Sequence, residues 1–412
     1  MLAVLRQRGF FLVWLAGLIS AFGDWVLAIA LPVYVYERTG SAVATGAMFA
    51  AEMLPRVLFG SVAGVFVDRW DRKWMMVGAD GARGVLLLAL LGVQSVADFW
   101  LVYVIAFLQS AVGQFFEPAR SALMPRLVAA DQLVAANALT SQWRAVVRIV
   151  GPPLGGVMML HLGLPGVVVA DSLSFVLSAV LIAFVAAPGA PDGRIGAPAA
   201  AVSRWASVWI EWRAGLGLIA RKRVLTVLVA ALAVTSVADG MIGPQFVVFV
   251  KHVLRGDAAE VGWWVSTNAV GGLVGGVFMT RLARSRDVLQ MLGFGLAAVG
   301  VLTLARNSMP AVLAVVTPGT PPAVAMLVNP AIGAVAVGAW IAWQTSFQQA
   351  VPDEYRGRVF GSADTTFALL TLIGIAGGSL LAEAVGVLAV FNAMGMLYAL
   401  AGLLVLVLLG RP

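Results

Sequence analysis

Twelve stretches of this chain run for around 20 residues each with almost no ionisable side chain. They cover 10–36, 43–67, 76–97, 99–119, 138–160, 165–186, 224–250, 260–281, 288–306, 326–349, 359–383 and 386–409. A helix rises 1.5 Å per residue, so about 20 apolar residues cross the roughly 30 Å hydrocarbon core of a bilayer. Only 11% of the 412 residues are charged and 61% are hydrophobic. A soluble domain carries about 25% charged residues. The chain therefore reads as an all-α membrane protein with twelve transmembrane helices. A soluble enzyme, a disordered chain, a coiled coil and a nucleic-acid-binding domain are excluded. Alternating strands of about 10 residues, the signature of a membrane barrel, are absent. The first run is too long for a signal-peptide core and contains Asp24, so it reads as a retained helix.

Basic residues orient the spans. Between them, 27 Lys+Arg and 20 Asp+Glu leave a net charge of +7. Nineteen of the basic residues fall on one side, four (Arg38, Lys251, Arg255, Arg306) on the other, and Arg56, Arg83, Arg144 and Arg148 lie inside spans. Loops rich in Lys and Arg stay cytoplasmic, which places both termini in the cytoplasm and explains the excess without nucleic acid. Scarce Lys with abundant Arg, Ala and Gly fits a bacterial chain in the inner membrane. With no Cys, disulfides, thiolate metal sites and cysteine nucleophiles are excluded.

The longest polar interruption, 187–223, divides the spans into two blocks of six. A Gly-, Ala- and Pro-rich stretch is followed by Trp205, Trp209 and Trp212 at helical spacing, which predicts an amphipathic helix on the inner leaflet. The domain boundaries are thus 1–186, a cytoplasmic linker 187–223, and 224–412. The blocks repeat one another. Gly64-Val65-Phe66-x-x-Arg69-x-x-Arg72 returns as Gly276-Val277-Phe278-x-x-Arg281-x-x-Arg284, and Asp24 has a counterpart in Asp239. A Pro-rich outer insertion, Met309 to Pro322, accounts for the drift in offset further on. Parallel six-span repeats characterise one large class of transporters.

Several motifs carry a family resemblance. The segment Gly60-Ser-Val-Ala-Gly64-Val-Phe-Val-Asp68-Arg69-Trp-Asp-Arg72-Lys73 is similar to the loop motif between helices two and three of the major facilitator superfamily, with Asp71 where the family usually has Gly. Gly151-Pro152-Pro153-Leu-Gly155-Gly156 resembles the end of its antiporter motif. Gly23-Asp24-Trp25 and Val351-Pro352-Asp-Glu-Tyr-Arg356-Gly357-Arg358-Val359-Phe360 look like the macrolide and enterobactin exporter branch. The resemblance implies two pseudo-symmetric six-helix halves and proton-coupled efflux of amphipathic small molecules.

Charge inside a bilayer costs at least about 2.5–3.5 kcal/mol at a helix centre, so each intramembrane charge needs an explanation. Asp24 lies about 21 Å along span one and Arg148 about 15 Å into span five. The resemblance places these helices side by side, so Asp24 and Arg148 are expected to pair. Asp24, Glu52, Arg148, Asp171 and Asp239 form the candidate proton-coupling set, because a carboxyl that makes and breaks an ion pair can capture and release a proton; the alternative is a static pair fixing helix register. Asp80 and Arg83, three apart in span three, are expected to pair locally.

The resemblance further implies a gating latch of Gly64, Asp68, Arg69, Arg72 and Glu117. In it Asp68 caps span eleven and Arg72 reaches Glu117, while Arg69 anchors to the inner surface. Gly151, Pro152, Pro153, Gly155 and Gly156 are expected to bend span five, since two prolines remove amide donors. Cavity-lining positions implied for spans one, four, seven and ten include Trp25, Gln109, Gln114, Phe115, Gln245, Trp340, Trp343 and Gln344. His161 and His252 sit at outer loop ends, no phosphate-binding loop is present, and no cofactor or metal is expected. The expected partners are an amphipathic substrate, protons and membrane lipids, with the protein a monomer and not an enzyme. Uptake symport, a lipid or lysolipid carrier, and a non-transporting receptor or scaffold remain the alternatives.

Overall fold

A computed structural model describes residues 2–67, 70–186, 217, 219, 222–282, 287–351 and 356–410. Among these the chain is helical with no strand. The membrane helices are α1 (Arg8–Thr39), α2 (Ala42–Val67), α3 (Arg72–Leu88) and α4 (Phe99–Leu127). A helix of 51 residues, Leu133–Ala183, follows, and its arms 133–162 and 164–183 are α5 and α6. Then come α7 (Arg223–Val248), α8 (Ala258–Leu282), α9 (Val288–Val316), α10 (Asn329–Ala350), α11 (Arg356–Val385) and α12 (Val387–Leu409). Each of the twelve expected spans falls on one of these helices.

The chain separates into two compact units. One holds residues 1–196 with 257–266, and the other holds 197–256 with 267–412. In the first, α1 packs along the α5–α6 helix, α3 packs on α6 and α4, and α2 packs on α4. The second repeats the plan, with α7 on α11 and α12, and α9 on α12 and α10. Apolar side chains fill each centre: Val13, Met76, Phe116 and Ile182 in the first unit, Leu228, Leu292, Phe347 and Val405 in the second. Burial of such side chains contributes about 1.5–3 kcal/mol each in water. In lipid, where apolar surface is no longer scarce of company, close packing takes over as the main contribution.

Two expectations change here. The Pro152–Pro153 pair does not break its helix; the only residue with non-helical backbone in the 51-residue helix is Gly163, at φ 63° and ψ −176°. That left-handed φ carries a steric penalty for any residue with a Cβ. Likewise, Met309 to Pro322 is not wholly an outer loop. Helix α9 continues through Pro310 to Val316, and a short 3-10 turn, Pro322–Val328, leads into α10. The linker with Trp205, Trp209 and Trp212 lies outside the described residues.

Candidate functional site

A cavity of about 530 Å³ opens in the first unit, walled by α1 to α6. Its polar lining includes Asp24, Glu52, Arg83, Gln109, Gln114 and Asp171. Aromatic and aliphatic side chains, among them Trp25, Trp143, Phe49 and Leu87, complete the wall.

Arg83 organises this space. Helix α3 begins at Arg72 because the Asp71 carboxylate accepts from the Lys73 and Trp74 amides. That start sets Arg83 about 16 Å along the helix, deep in the bundle. Its Nη2 donates to Asp24 Oδ1 at 2.5 Å, and its Nε donates to Gln109 Oε1 at 3.0 Å. Gln109 Nε2 donates back to the Arg83 carbonyl at 2.6 Å. The guanidinium also lies over the Phe175 ring, 4.1 Å from its centroid. Charge-assisted hydrogen bonds and a cation–π contact together offset the cost of a cation at this depth.

Asp24 thus pairs with Arg83, not with Arg148. Arg148 is exposed on α5. Nor does Asp80 pair with Arg83: its Oδ2 accepts from Ser178 on α6. Arg83 points into the cavity toward α1 instead of along its own helix. Asp171 is 1% exposed; its Oδ1 accepts from Ser174 Oγ, and its Oδ2 has no hydrogen-bond partner. It approaches α1 at Gly23, where a Cβ would overlap Asp171 Oδ1 and Ser174 Oγ. Glu52 is an exposed residue on the cavity wall. The cavity therefore presents Asp24, Glu52 and Asp171 against the single guanidinium of Arg83, with Glu117 also on its wall but paired with Arg120 and Arg144.

The second unit treats its acid differently. Asp239 on α7 accepts a hydrogen bond from the Tyr398 hydroxyl on α12. Gln245 is fully buried and donates to Ser379, which makes it a packing residue in place of a cavity one. Trp343 is also buried, with its Nε1 donating to the Leu228 carbonyl, and Trp340 stacks on it at 5.2 Å with half its surface open. Gln344 is exposed, and Phe115 packs against the core of the first unit. Arg306, counted from sequence with the outer loops, is buried. It donates to Asn307 and Asn329, because α9 runs ten residues past it.

Comparison with known proteins agrees with this architecture. The family profile described as Major Facilitator Superfamily matches residues 13–241 and 228–412. The chain belongs to the major facilitator superfamily. An uncharacterised MFS-type transporter, YfiS, of Bacillus subtilis is 26% identical, over 98% of this chain and 93% of its own. Macrolide efflux protein A of Streptococcus pyogenes is 24% identical over 92% and 90%. The multidrug efflux pump Tap of Mycobacterium tuberculosis is 28% identical over 94% and 90%. Among solved structures, a bacterial homologue of the iron transporter ferroportin, in an inward-facing state, superposes with a TM-score of 0.74 at 17% identity, covering 99% of both chains. This is a multi-pass membrane transporter, not an enzyme.

Within this major facilitator protein the latch residues are only partly assembled. Asp68 and Arg69 lie outside the described residues, and Gly64 falls in the last turn of α2. Arg72 does reach α4, but its Nη1 donates to the Ala122 carbonyl at 3.2 Å and not to Glu117. Glu117 is taken by Arg120 at 2.8 Å and Arg144 at 2.6 Å, so its charge is already matched. The glycine–proline motif acts as a packing seam. Added Cβ atoms would overlap Trp25 at Gly151, the Val26 backbone at Gly155 and the Ala258 carbonyl at Gly156. Sequence reading gave Arg83 only a local role beside Asp80, quoted Gly23 only within a motif, and missed Ser174, Ser178 and Tyr398. Of these only Arg83, an arginine deep in an apolar run, carried a signal that could have singled it out.

Proposed function

We propose that this transporter exports amphipathic small molecules in exchange for protons, its halves exposing the binding space alternately to the two sides of the membrane. The observation that carries the reading is the charge count in the first unit's cavity: besides Glu117, which is matched by Arg120 and Arg144, the carboxyl groups of Asp24, Glu52 and Asp171 face one arginine, Arg83. Of the three, Asp171 is buried, and a buried charge left uncompensated is strongly destabilising. Surplus carboxylates can be relieved by protons or by a cationic ligand, and an exchange of one for the other is antiport. Asp24 keeps 43% of its side chain accessible, so its pairing with Arg83 is open to competition. The apolar walls with few convergent polar groups suit an amphipathic ligand. Asp239, with its single phenolic donor, is a second acid available to the cycle. Export is favoured over uptake by the names of two relatives, a macrolide efflux protein and a multidrug efflux pump. Cytoplasmic termini and a bacterial inner membrane complete the reading.

The test uses inside-out vesicles that carry an acid interior and a pH-sensitive dye. Adding a macrolide should release protons and restore dye fluorescence. Asp24→Asn and Glu52→Gln should each abolish that response while the protein remains inserted. Macrolide flux that ignores the pH gradient, or an intact response in both variants, would refute proton antiport; flux only in the inward direction would favour the symporter.

A further inference from the structure

Asp80 is an acid that the transport reading does not use. It is 0% exposed, on α3, about 12 Å along the helix from Arg72. Its Oδ2 accepts from Ser178 Oγ on α6, and its Oδ1 accepts no hydrogen bond. One neutral donor is scant for an ionised carboxylate closed to water, because a buried unpaired charge costs far more than a buried hydroxyl. Packing does not demand an acid at this place. Counting from the capping residues Asp71 and Asp287, Asp80 answers to Leu296, which is buried in the core of the second unit.

The seam around it leads to the cavity. One turn along α3 the Gly84 carbonyl accepts from Ser172 Oγ at 2.7 Å, so Asp80–Ser178 and Gly84–Ser172 hold α3 against α6 at two levels. Between those levels lies Arg83, with its guanidinium over the Phe175 ring and its Nη2 on Asp24. Residues three apart on a helix are neighbours, so Arg83 has Asp80 beside it on its own helix and Asp24 across the cavity. The charges facing Asp80 are Arg83 on α3, Asp24 on α1 and Asp171 on α6. On α4, Gln109 binds Arg83, and Glu117 is taken by Arg120 and Arg144. The turn Ala89–Gly92 carries no charge. One guanidinium thus stands between two acids. It is engaged with the one that keeps 43% of its side chain accessible, and not with the one that is closed off.

We propose that Asp80 is a further proton-binding residue of the first unit, which exchanges the Arg83 guanidinium with Asp24. With Arg83 on Asp24, Asp80 is a neutral carboxylic acid. When Asp24 takes a proton from the cavity it loses its charge, and the guanidinium turns to Asp80. The O–H bond of Asp80 breaks, its proton passes by way of the Ser178 hydroxyl to water, and the carboxylate left behind pairs with Arg83. One proton is bound and one is released, and the cation keeps one anionic partner at each end of the exchange. The use of this exchange in transport rests on the antiport reading above; its test does not.

The experiment is infrared spectroscopy of the full-length protein in liposomes, with isotope-labelled aspartate to separate the protonated-carboxyl band from lipid esters. At neutral pH the protein should show a protonated-aspartate band that Asp80→Asn removes and that Ser178→Ala shifts in frequency, as the hydroxyl donor is lost. Should Asp80→Asn fail to insert, Asp80→Leu, which copies Leu296, removes the same carboxyl. Asp24→Asn, which fixes residue 24 in a neutral form, should free Arg83 and abolish the Asp80 band. Adding Arg83→Leu to Asp24→Asn should restore it. Absence of any band sensitive to loss of the Asp80 carboxyl would overturn the proposal. So would an Asp80 band that survives Asp24→Asn, as it would if Arg83 turned to Asp171 instead. The expected spectra without macrolide-driven proton movement in vesicles would uphold the proposal and refute the export reading alone.

Discussion

The two units share a plan and differ in electrostatics. The capping aspartates Asp71 and Asp287 set α3 and α9 in register. In that register Gly84 answers to Gly300, and each packs against backbone of the last helix of its unit, at Ser172 and at Gly395. Asp80 answers to Leu296, however, and Arg83 to Val299. The first-helix acids, Asp24 and Asp239, survive in both units, but one faces a guanidinium and the other a phenol. A duplicated bundle can keep its packing while its charges are rearranged, because packing depends on small residues and charge depends on a few removable side chains. The difference teaches where the charges sit: the first unit gathers acids and a guanidinium at one cavity, while the second holds Asp239 by a phenol and Arg306 by two asparagines.

Removing the organising cation should have the largest effect. Arg83→Leu leaves Asp24 and Asp171 facing each other uncompensated, and breaking such a buried pair costs about 3–5 kcal/mol. The openness of Asp24 moves the expectation to the lower end, read as thermal unfolding in detergent. Arg83→Lys should recover part of the stability. An unchanged melting temperature in Arg83→Leu would erase the asymmetry argued above.

A matched pair of small substitutions sharpens it. Gly23→Ala should displace Asp171 and Ser174, with an overpacking cost of about 1–3 kcal/mol and loss of substrate-driven proton movement. The second unit already has Ala238 at the equivalent place, so Ala238→Gly should cost no more than about 1 kcal/mol, the helix penalty for glycine. Equal effects of the two on proton movement would show that Asp171 needs no such close approach.

How much of this was readable beforehand follows from helix geometry. Depth along a span is legible, because each residue adds a fixed rise; it sets Asp24, Arg83 and Arg148 well inside their helices. Rotation about the helix axis is not legible without neighbours, and pairing depends on it. Hence Arg148 was paired with Asp24 when Arg83 faces it, and Gln245 was placed on a cavity wall when it is buried against Ser379. The division into halves, the repeat and the apolar cores depend on depth and periodicity, which explains why they were visible. Gly23 and Tyr398 act through partners 148 or more residues away and left no local mark.

Smaller effects complete the comparison. Tyr398→Phe removes the donor to Asp239, at a cost of about 1–3 kcal/mol if the carboxylate stays dry and less if water enters. The same substitution should leave Arg83-dependent proton movement intact, as checked by dye recovery in vesicles. Last, Asp71→Ala and Asp287→Ala each remove a helix cap, at about 0.5–2 kcal/mol. Asp71 accepts from two amides and Asp287 from one, so the first loss should be the larger in thermal melts.

The junction at Gly163 has a mechanical consequence. Helices α5 and α6 meet at a single residue, with no slack segment to absorb movement. One arm reaches the inner cluster through Arg144 and Glu117, and the other bears Asp171 at the cavity. Any change in the angle between the two arms must be taken up at this one residue, where a side chain bearing a Cβ would be strained.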